Sequence, residues 1–407
     1  MNYWWVGLLL LMVMMAVSYW RRKSTFAAQA ELEAVKQNAM RAEDNYNTIF
    51  IAIPCYRDES ECAQTLFSIF NEAECPWRVR VGILHHVEPV NDYSDNILNL
   101  YEQLCDRHHA TSFQKQIRVV MAASQEAKGP LSARAFIEAN MFKNERFYMT
   151  MDSHMRMVAG WDTKVLSMYE SCLALSERPI LTTFPANFNR QTQQPEDDRP
   201  TYVAADGFDQ DGFPRPKALP FVTMPVRPVE SLFWVPCFSF ASSRIINDVP
   251  LLDTLPYLFF PEMYFQSARY WTHGWDFFAP TDTLAYHVAD RTYRPTFWEQ
   301  LQSKDALVVR MRSLKTLQDN IRVDTCRVCL QPREQHTGNH TFEAAAALVW
   351  FGRHRALLDY NIYSGLQNVG DPTDANMEEF TRMGCTRDMS DAEQIAKFGK
   401  VVQIINK

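Results

Sequence analysis

Residues Phe147 to Asp162 read FYMTMDSHMRMVAGWD, with Asp152 and His154 two positions apart at the end of a short apolar run. A carboxylate oxygen and an imidazole nitrogen at that spacing, placed just beyond a strand, can hold one divalent cation and leave positions open for substrate oxygens. The same pair serves equally well as a capping Asp and a hydrogen-bonded His in a strand-to-loop turn. A second grouping stands in the tail, where CRVCLQPREQHTGNH places Cys326, Cys329, His336 and His340 together. These are zinc-ligand types, but the six residues between Cys329 and His336 are fewer than the ~12 of a C₂H₂ finger. A shorter knuckle and ordinary surface and core residues are the two readings.

The elements around the first pair decide what it can face. TIFIAIP ending at Pro54, RVRVGIL at Leu84, IRVVMA at Ala122, FYMTMD at Asp152 and PILTTF at Phe184 read as strands. Helix-period segments lie between them, at Cys62 to Glu74, Ser94 to Arg107, Pro130 to Phe142 and Trp161 to Leu175. The first is opened by the capping box Asp58-Glu59-Ser60-Glu61. This alternation implies an α/β fold with a mostly parallel sheet covered by helices. Ligands in such sheets bind beyond the carboxyl ends of the strands, so a central FYMTMD strand points Asp152 and His154 into the cleft. IAIPCYRDES contains no glycine, which removes support for dinucleotide and P-loop folds. Nucleotide-sugar transfer remains, with a cation bridging the two phosphates of the donor.

The 407 residues are 47% hydrophobic and 22% charged, the composition of a globular chain. A formal charge of −7 and the lack of a basic stripe argue against a nucleic-acid partner. Tyr3 to Trp20 has no charged residue and carries aromatics at both ends, the pattern of a single membrane-spanning helix. Arg21, Arg22 and Lys23 follow directly, where a cleaved signal peptide would show a small-residue site. Ala27 to Asp44 uses strong helix formers, with Leu32, Val35 and Ala39 on one face, and reads as a helical stalk. The basic cluster after the span would keep the remainder in the cytoplasm, and nine cysteines fit a reducing compartment. The sequon Asn339-His340-Thr341 points instead to the ER or Golgi lumen. Nine of the 21 prolines and the patch NRQTQQPEDDRP fall between Phe184 and Pro236; this stretch is either an acceptor-side loop or a disordered surface insertion.

IPCYRD, KGPLSAR, MDSHMRMVAGWD, CFSFASSRIINDVP, LPYLFFPEMYFQSARYWTHGWDFFAPT and YHVADRTYRPTFW occur in that order. Together they resemble the glycosyltransferase family 60 enzymes, polypeptide α-N-acetylglucosaminyltransferases that modify hydroxyproline or Thr in proteins. The resemblance runs over about Ile49 to Trp298, with a weaker echo in WFGRHRALLDYNIYSG. It implies a GT-A-type, Rossmann-like fold, UDP-GlcNAc as donor, Mn²⁺ or Mg²⁺, a protein acceptor and retention at the anomeric carbon.

Carried over block by block, Asp152 and His154 match the family's metal motif and His287 a third ligand. Arg57 and Asp58 stand where GT-A enzymes hold uridine, and Arg134 stands near the sugar or phosphate. Glu262 matches the first carboxylate of a Gly-Glu-Glu stretch that here reads Pro261-Glu262-Met263, so the second carboxylate is missing. Glu262 then does the acidic work alone, or activity is altered. That departure leaves two rivals: a sugar-binding or scaffolding membrane protein that keeps the transferase fold without turnover, and a transferase for glycan or lipid acceptors. Ordinary readings stand beside these: a turn plus an N-cap for Arg57 and Asp58, a neutralised helix face for Arg134, and core packing for Trp271, Trp275 and Trp298. The expected layout is a transmembrane anchor over 1–23, a helical stalk over 24–47, the GT-A catalytic domain over 48–310 and a C-terminal helical extension over 311–407.

Overall fold

The computed structural model describes residues 46–88, 96–297, 303–327, 351–352, 354–373 and 375–377. The strands are β1 (Ile49–Tyr56), β2 (Val79–Val87), β3 (Ile117–Ala123), β4 (Phe147–Met151), β5 (Met155–Met157), β6 (Pro179–Thr182), β7 (Ala186–Asn189), β8 (Gln194–Pro195), β9 (Thr201–Phe208), β10 (Pro214–Pro220), β11 (Val229–Ser231), β12 (Phe238–Ser242), β13 (Asp276–Ala279) and β14 (Ala285–His287). The helices are α1 (Glu59–Asn71), α2 (Ile97–His108), α3 (Pro130–Met141), α4 (Trp161–Leu173), α5 (Arg244–Asp248), α6 (Phe260–Thr272), α7 (Lys304–Arg327) and α8 (Leu357–Ser364).

Eight strands form the central sheet in the order β11-β13-β6-β12-β4-β1-β2-β3. β1 is parallel to both β2 and β4, and β2 to β3. The sheet is mostly parallel, as expected, with β13 also parallel to β6, and two strands depart from that direction. β12 runs antiparallel to both β4 and β6, and β11 antiparallel to β13. The alternation of strands and helices that predicts parallel pairing ends at β6; beyond it the chain passes through short strands without helices, and β12 inserts in the opposite sense between β4 and β6.

Strands buried on both faces read as continuous apolar runs, as β1 (IFIAIPCY) does. Ile49, Ile51 and Ile53 pack into one core with residues of α1, α2 and α4, while Phe50 and Ala52 pack into a second core with α3 and α6. Gly82 in β2 is required by that second core. A Cβ there would lie 2.6 Å from Phe50 Cζ and 3.0 Å from Ile137 Cγ2, so α3 could not sit this close to the sheet. Trp271 and Trp275 are core residues.

The proline-rich stretch from 184 to 236 is ordered into β7 through β11. Its longest part is the antiparallel pair β9 and β10, with a register shift between Pro214 and Pro216. A two-stranded ribbon leaves each strand an open edge, where the missing proline N–H is tolerated.

The expected division at residue 310 falls inside α7. Leu317, Ile321, Phe351, Leu357 and Tyr360 share one core with Phe213 and Tyr264. Among the described residues no helix is long and apolar enough to cross a membrane. The expected anchor and the expected stalk up to residue 45 lie outside the described residues, as do Trp298, Cys329, His336, Asn339 and His340; of Cys326 only the helical backbone is described.

Candidate active site

β4 ends at Met151, and Asp152 begins the turn into β5. That turn is fixed from below by α1, where Thr65 Oγ1 accepts from the Met155 N–H at 2.8 Å and lies 2.8 Å from the Ser153 carbonyl. β5 pairs antiparallel with β14, setting His287 opposite Met155, and Val288 N–H donates to the His154 carbonyl at 2.9 Å. A residue more than a hundred positions downstream is thereby brought beside the Asp-x-His pair. Ligand atoms of Asp152, His154 and His287 lie within 4.8 Å of one another. The site sits at the carboxyl ends of β1, β2 and β4, where mixed α/β sheets place their ligands.

The donor chemistry fits a divalent cation. His154 Nε2 and His287 Nε2 are buried without a hydrogen-bond partner, and His287 Nε2 lies 3.4 Å from Asp152 Oδ2. Buried polar atoms are nearly always paired, so two bare imidazole nitrogens beside a carboxylate mark a place for a ligand. Burial holds His287 below the usual imidazole range, against the pull of Asp152. Its ring is therefore neutral at pH 7, as a metal ligand must be. For Asp152, burial opposes the charged form, but the His287 ring facing it and the Arg134 guanidinium outweigh that and hold the carboxyl well below its usual range.

Arg134 comes from the second turn of α3, which opens with Pro130 after Gly129 at φ +108°. Only glycine adopts that backbone readily. Its guanidinium is 2% exposed and forks between Asp152 Oδ1 at 2.9 Å and Glu262 Oε1 at 3.1 Å. Glu262, in the first turn of α6, is 1% exposed. Burial pushes its carboxyl up to about 7, with Arg134 lowering it and the Asp152 charge raising it further. All five of these side chains, Asp152, His154, His287, Arg134 and Glu262, line one cavity of about 370 Å³, the size of a small-molecule site.

Arg57 and Asp58 stand elsewhere. Arg57 has φ +49° and pairs with Glu88 at 2.9 Å, and neither it nor Asp58 is on the cavity wall. Asp58 occupies the N-cap of α1 without a side-chain cap bond, so the capping box does not form. The carboxylate instead accepts from Ser153 Oγ at 2.9 Å, His154 Nδ1 at 3.0 Å and Tyr293 OH at 2.9 Å, with Arg294 Nε at 3.2 Å. Burial opposes its charge, but the His154 hydrogen bond and the neighbouring Arg294 cation hold its carboxyl below the usual carboxylate range. The cavity wall also holds His86, Arg291, Arg294 and Phe297, to which sequence reasoning assigned no role. His86 is held near 4 by burial and then by His85. The two arginines lie in the YHVADRTYRPTFW block, and two guanidinium groups within seven residues of His287 were the available signal.

The chain belongs to the family described as Glycosyltransferase (GlcNAc), whose model matches residues 48–102 and 100–369. Among solved structures, GalNAc-T7 with UDP, GalNAc and Mn²⁺ is similar in fold, with a TM-score of 0.50 at 13% identity over 79% of this chain; the chain spans 58% of that one's length. S. aureus TarS 1–349 in complex with UDP-GlcNAc aligns at a TM-score of 0.40 and 10% identity, over 67% of this chain and 66% of that one. No curated protein sequence matches.

Proposed function

We propose that this glycosyltransferase moves N-acetylglucosamine from UDP-GlcNAc to a hydroxyl of a protein, on hydroxyproline, Thr or Ser, with retention at the anomeric carbon. The observation that carries the reading is the pair of unpartnered imidazole nitrogens, His154 Nε2 and His287 Nε2, beside Asp152 on the wall of the strand-end cavity. These three residues would hold Mn²⁺ or Mg²⁺, which supplies the positive charge that stabilises a departing diphosphate. Arg134 fixes Asp152 in place and adds a second positive charge to the cavity. Arg291 and Arg294, also on the cavity wall, suit phosphate oxygens.

Asp152 and Glu262 are the two carboxylates on the cavity wall among the described residues, and both are engaged by Arg134. That arrangement favours front-side attack over a carboxylate nucleophile. The bond from the anomeric carbon to the diphosphate breaks, the bond to the acceptor oxygen forms, and the hydroxyl proton passes to the leaving phosphate oxygen. Glu262, poised near neutrality, orients the sugar or acceptor hydroxyls. The membrane part of the reading rests on the composition of Tyr3 to Trp20, which tethers the enzyme by one span.

Incubating the full chain with labelled UDP-GlcNAc and an acceptor peptide, with and without Mn²⁺, tests the proposal. Metal-dependent transfer is expected, with UDP-glucose a poor substitute because it lacks the N-acetyl group. Equal turnover of UDP-glucose would contradict the donor assignment.

A further inference from the structure

We infer that Asp58 is a positioning residue that ties the ligand His154 to the segment 290–297, so that cation binding and the order of that segment are coupled through one buried carboxylate. The inference rests on the metal reading of Asp152, His154 and His287. Asp58 is 3% exposed and off the cavity wall, so it acts through its partners and not on a substrate. Its partners come from two sides. Ser153 and His154 belong to the turn between β4 and β5, while Tyr293 and Arg294 follow β14.

An ionised carboxylate only accepts hydrogen bonds, so at 3.0 Å from Asp58 Oδ2 the Nδ1 of His154 carries the proton. The tautomer follows: Nε2 is left with a bare lone pair, and it is the Nε2 atom that is buried without a partner near Asp152 and His287. A carboxylate behind a ligating imidazole fixes ring and tautomer, and its loss costs metal affinity ~10–100-fold. Without Asp58, Nδ1 would face Arg294 Nη2, now at 3.5 Å, and Ser153 Oγ at 3.2 Å. The guanidinium can only donate, so Nδ1 would accept and the proton would move to Nε2, where a cation cannot bind.

The other side of Asp58 holds the segment that carries the cavity's arginines. Arg294 also donates to the Tyr56 carbonyl at 3.2 Å, and Tyr293 lies under Arg190, whose guanidinium carbon is 4.3 Å from the ring centre. Arg190 in turn donates to the buried Glu61 at 2.7 Å. The segment is thus anchored at the ends of β1 and α1, the same ground that holds the ligand turn.

The test uses the full chain and Mn²⁺ alone, reading free Mn²⁺ by electron paramagnetic resonance and amide exchange across 290–297. Asp58→Ala should weaken Mn²⁺ binding ~10–100-fold, and the slowing of exchange that Mn²⁺ produces across 290–297 in the wild type should vanish. Tyr293→Phe removes one hydroxyl, keeps the carboxylate and leaves the cavity wall intact; it should reduce that slowing, and it decides the matter alone should Asp58→Ala not fold. A folded Asp58→Ala chain that binds Mn²⁺ as tightly as the wild type, or a Mn²⁺ effect on 290–297 unchanged in Tyr293→Phe, overturns the inference. Equal Mn²⁺ affinity of His154→Ala and wild type would remove the metal site itself, and the role of Asp58 with it.

Discussion

Arg134 holds Asp152 and Glu262 on one guanidinium, 2.9 Å from the first and 3.1 Å from the second. They come from α3, the turn after β4 and α6, so one buried guanidinium joins the candidate cation ligands to α6. Removing one partner of a buried charge cluster leaves the others uncompensated, a larger loss than the net worth of the contact.

Arg134→Met should therefore lower stability by ~3 kcal/mol, measured by urea unfolding. Adding Glu262→Gln should recover part of that loss, because the amide no longer needs a counter-charge; the double-mutant cycle isolates the term. A fully additive cycle would show that the two side chains do not interact energetically.

Behind this cluster, Glu138 in α3 is buried and accepts from the Leu251 N–H at 3.0 Å. Burial lifts its carboxyl from 4.5 to about 7, with that hydrogen bond and nearby arginines offsetting part of the rise. A folded value above the unfolded one means that the group's contribution is present below pH 4.5 and is lost as pH rises to 7. Between pH 5 and 8 the wild type should lose ~2 kcal/mol relative to Glu138→Gln. Unfolding curves of the two proteins that stay parallel over this range would contradict the assignment.

Much of the fold was legible because periodicity survives where helices and strands alternate. The four predicted helices reappear as α1 to α4, and the five predicted strands as β1 to β4 and β6. The signal fails after Phe184, since short strands paired across long loops leave no local period, and antiparallel insertion depends on partners distant in sequence. In the site, Asp152 and His154 were visible as a pair, whereas His287, Arg134 and Glu262 were placed only by resemblance, because β14, α3 and α6 converge through tertiary packing. Asp58 shows the limit from the other side. Its spacing to Glu61 satisfies a capping rule, yet a buried imidazole, a hydroxyl, a phenol and a guanidinium outcompete the helix amides for its oxygens.

Both cores are built from residues from Ile49 onward. A truncated chain beginning at Asn45 is therefore expected to fold, remain soluble without detergent and keep metal-dependent transfer, which circular dichroism and the transfer assay check together. Loss of folding in that chain would contradict an independent domain. The membrane side can be read in the full chain from Asn339: endoglycosidase-sensitive modification there places the domain in the lumen.

The most direct measurement is Mn²⁺-dependent transfer from UDP-GlcNAc by wild type and Asp152→Asn. The amide keeps the size of the carboxylate and one acceptor oxygen for Arg134, but it lacks the charge that holds a hard cation. A fall in rate of ~10² or more, with the fold retained and the Mn²⁺ dependence weakened, is expected. A folded Asp152→Asn protein with near-normal, metal-dependent turnover would contradict the account.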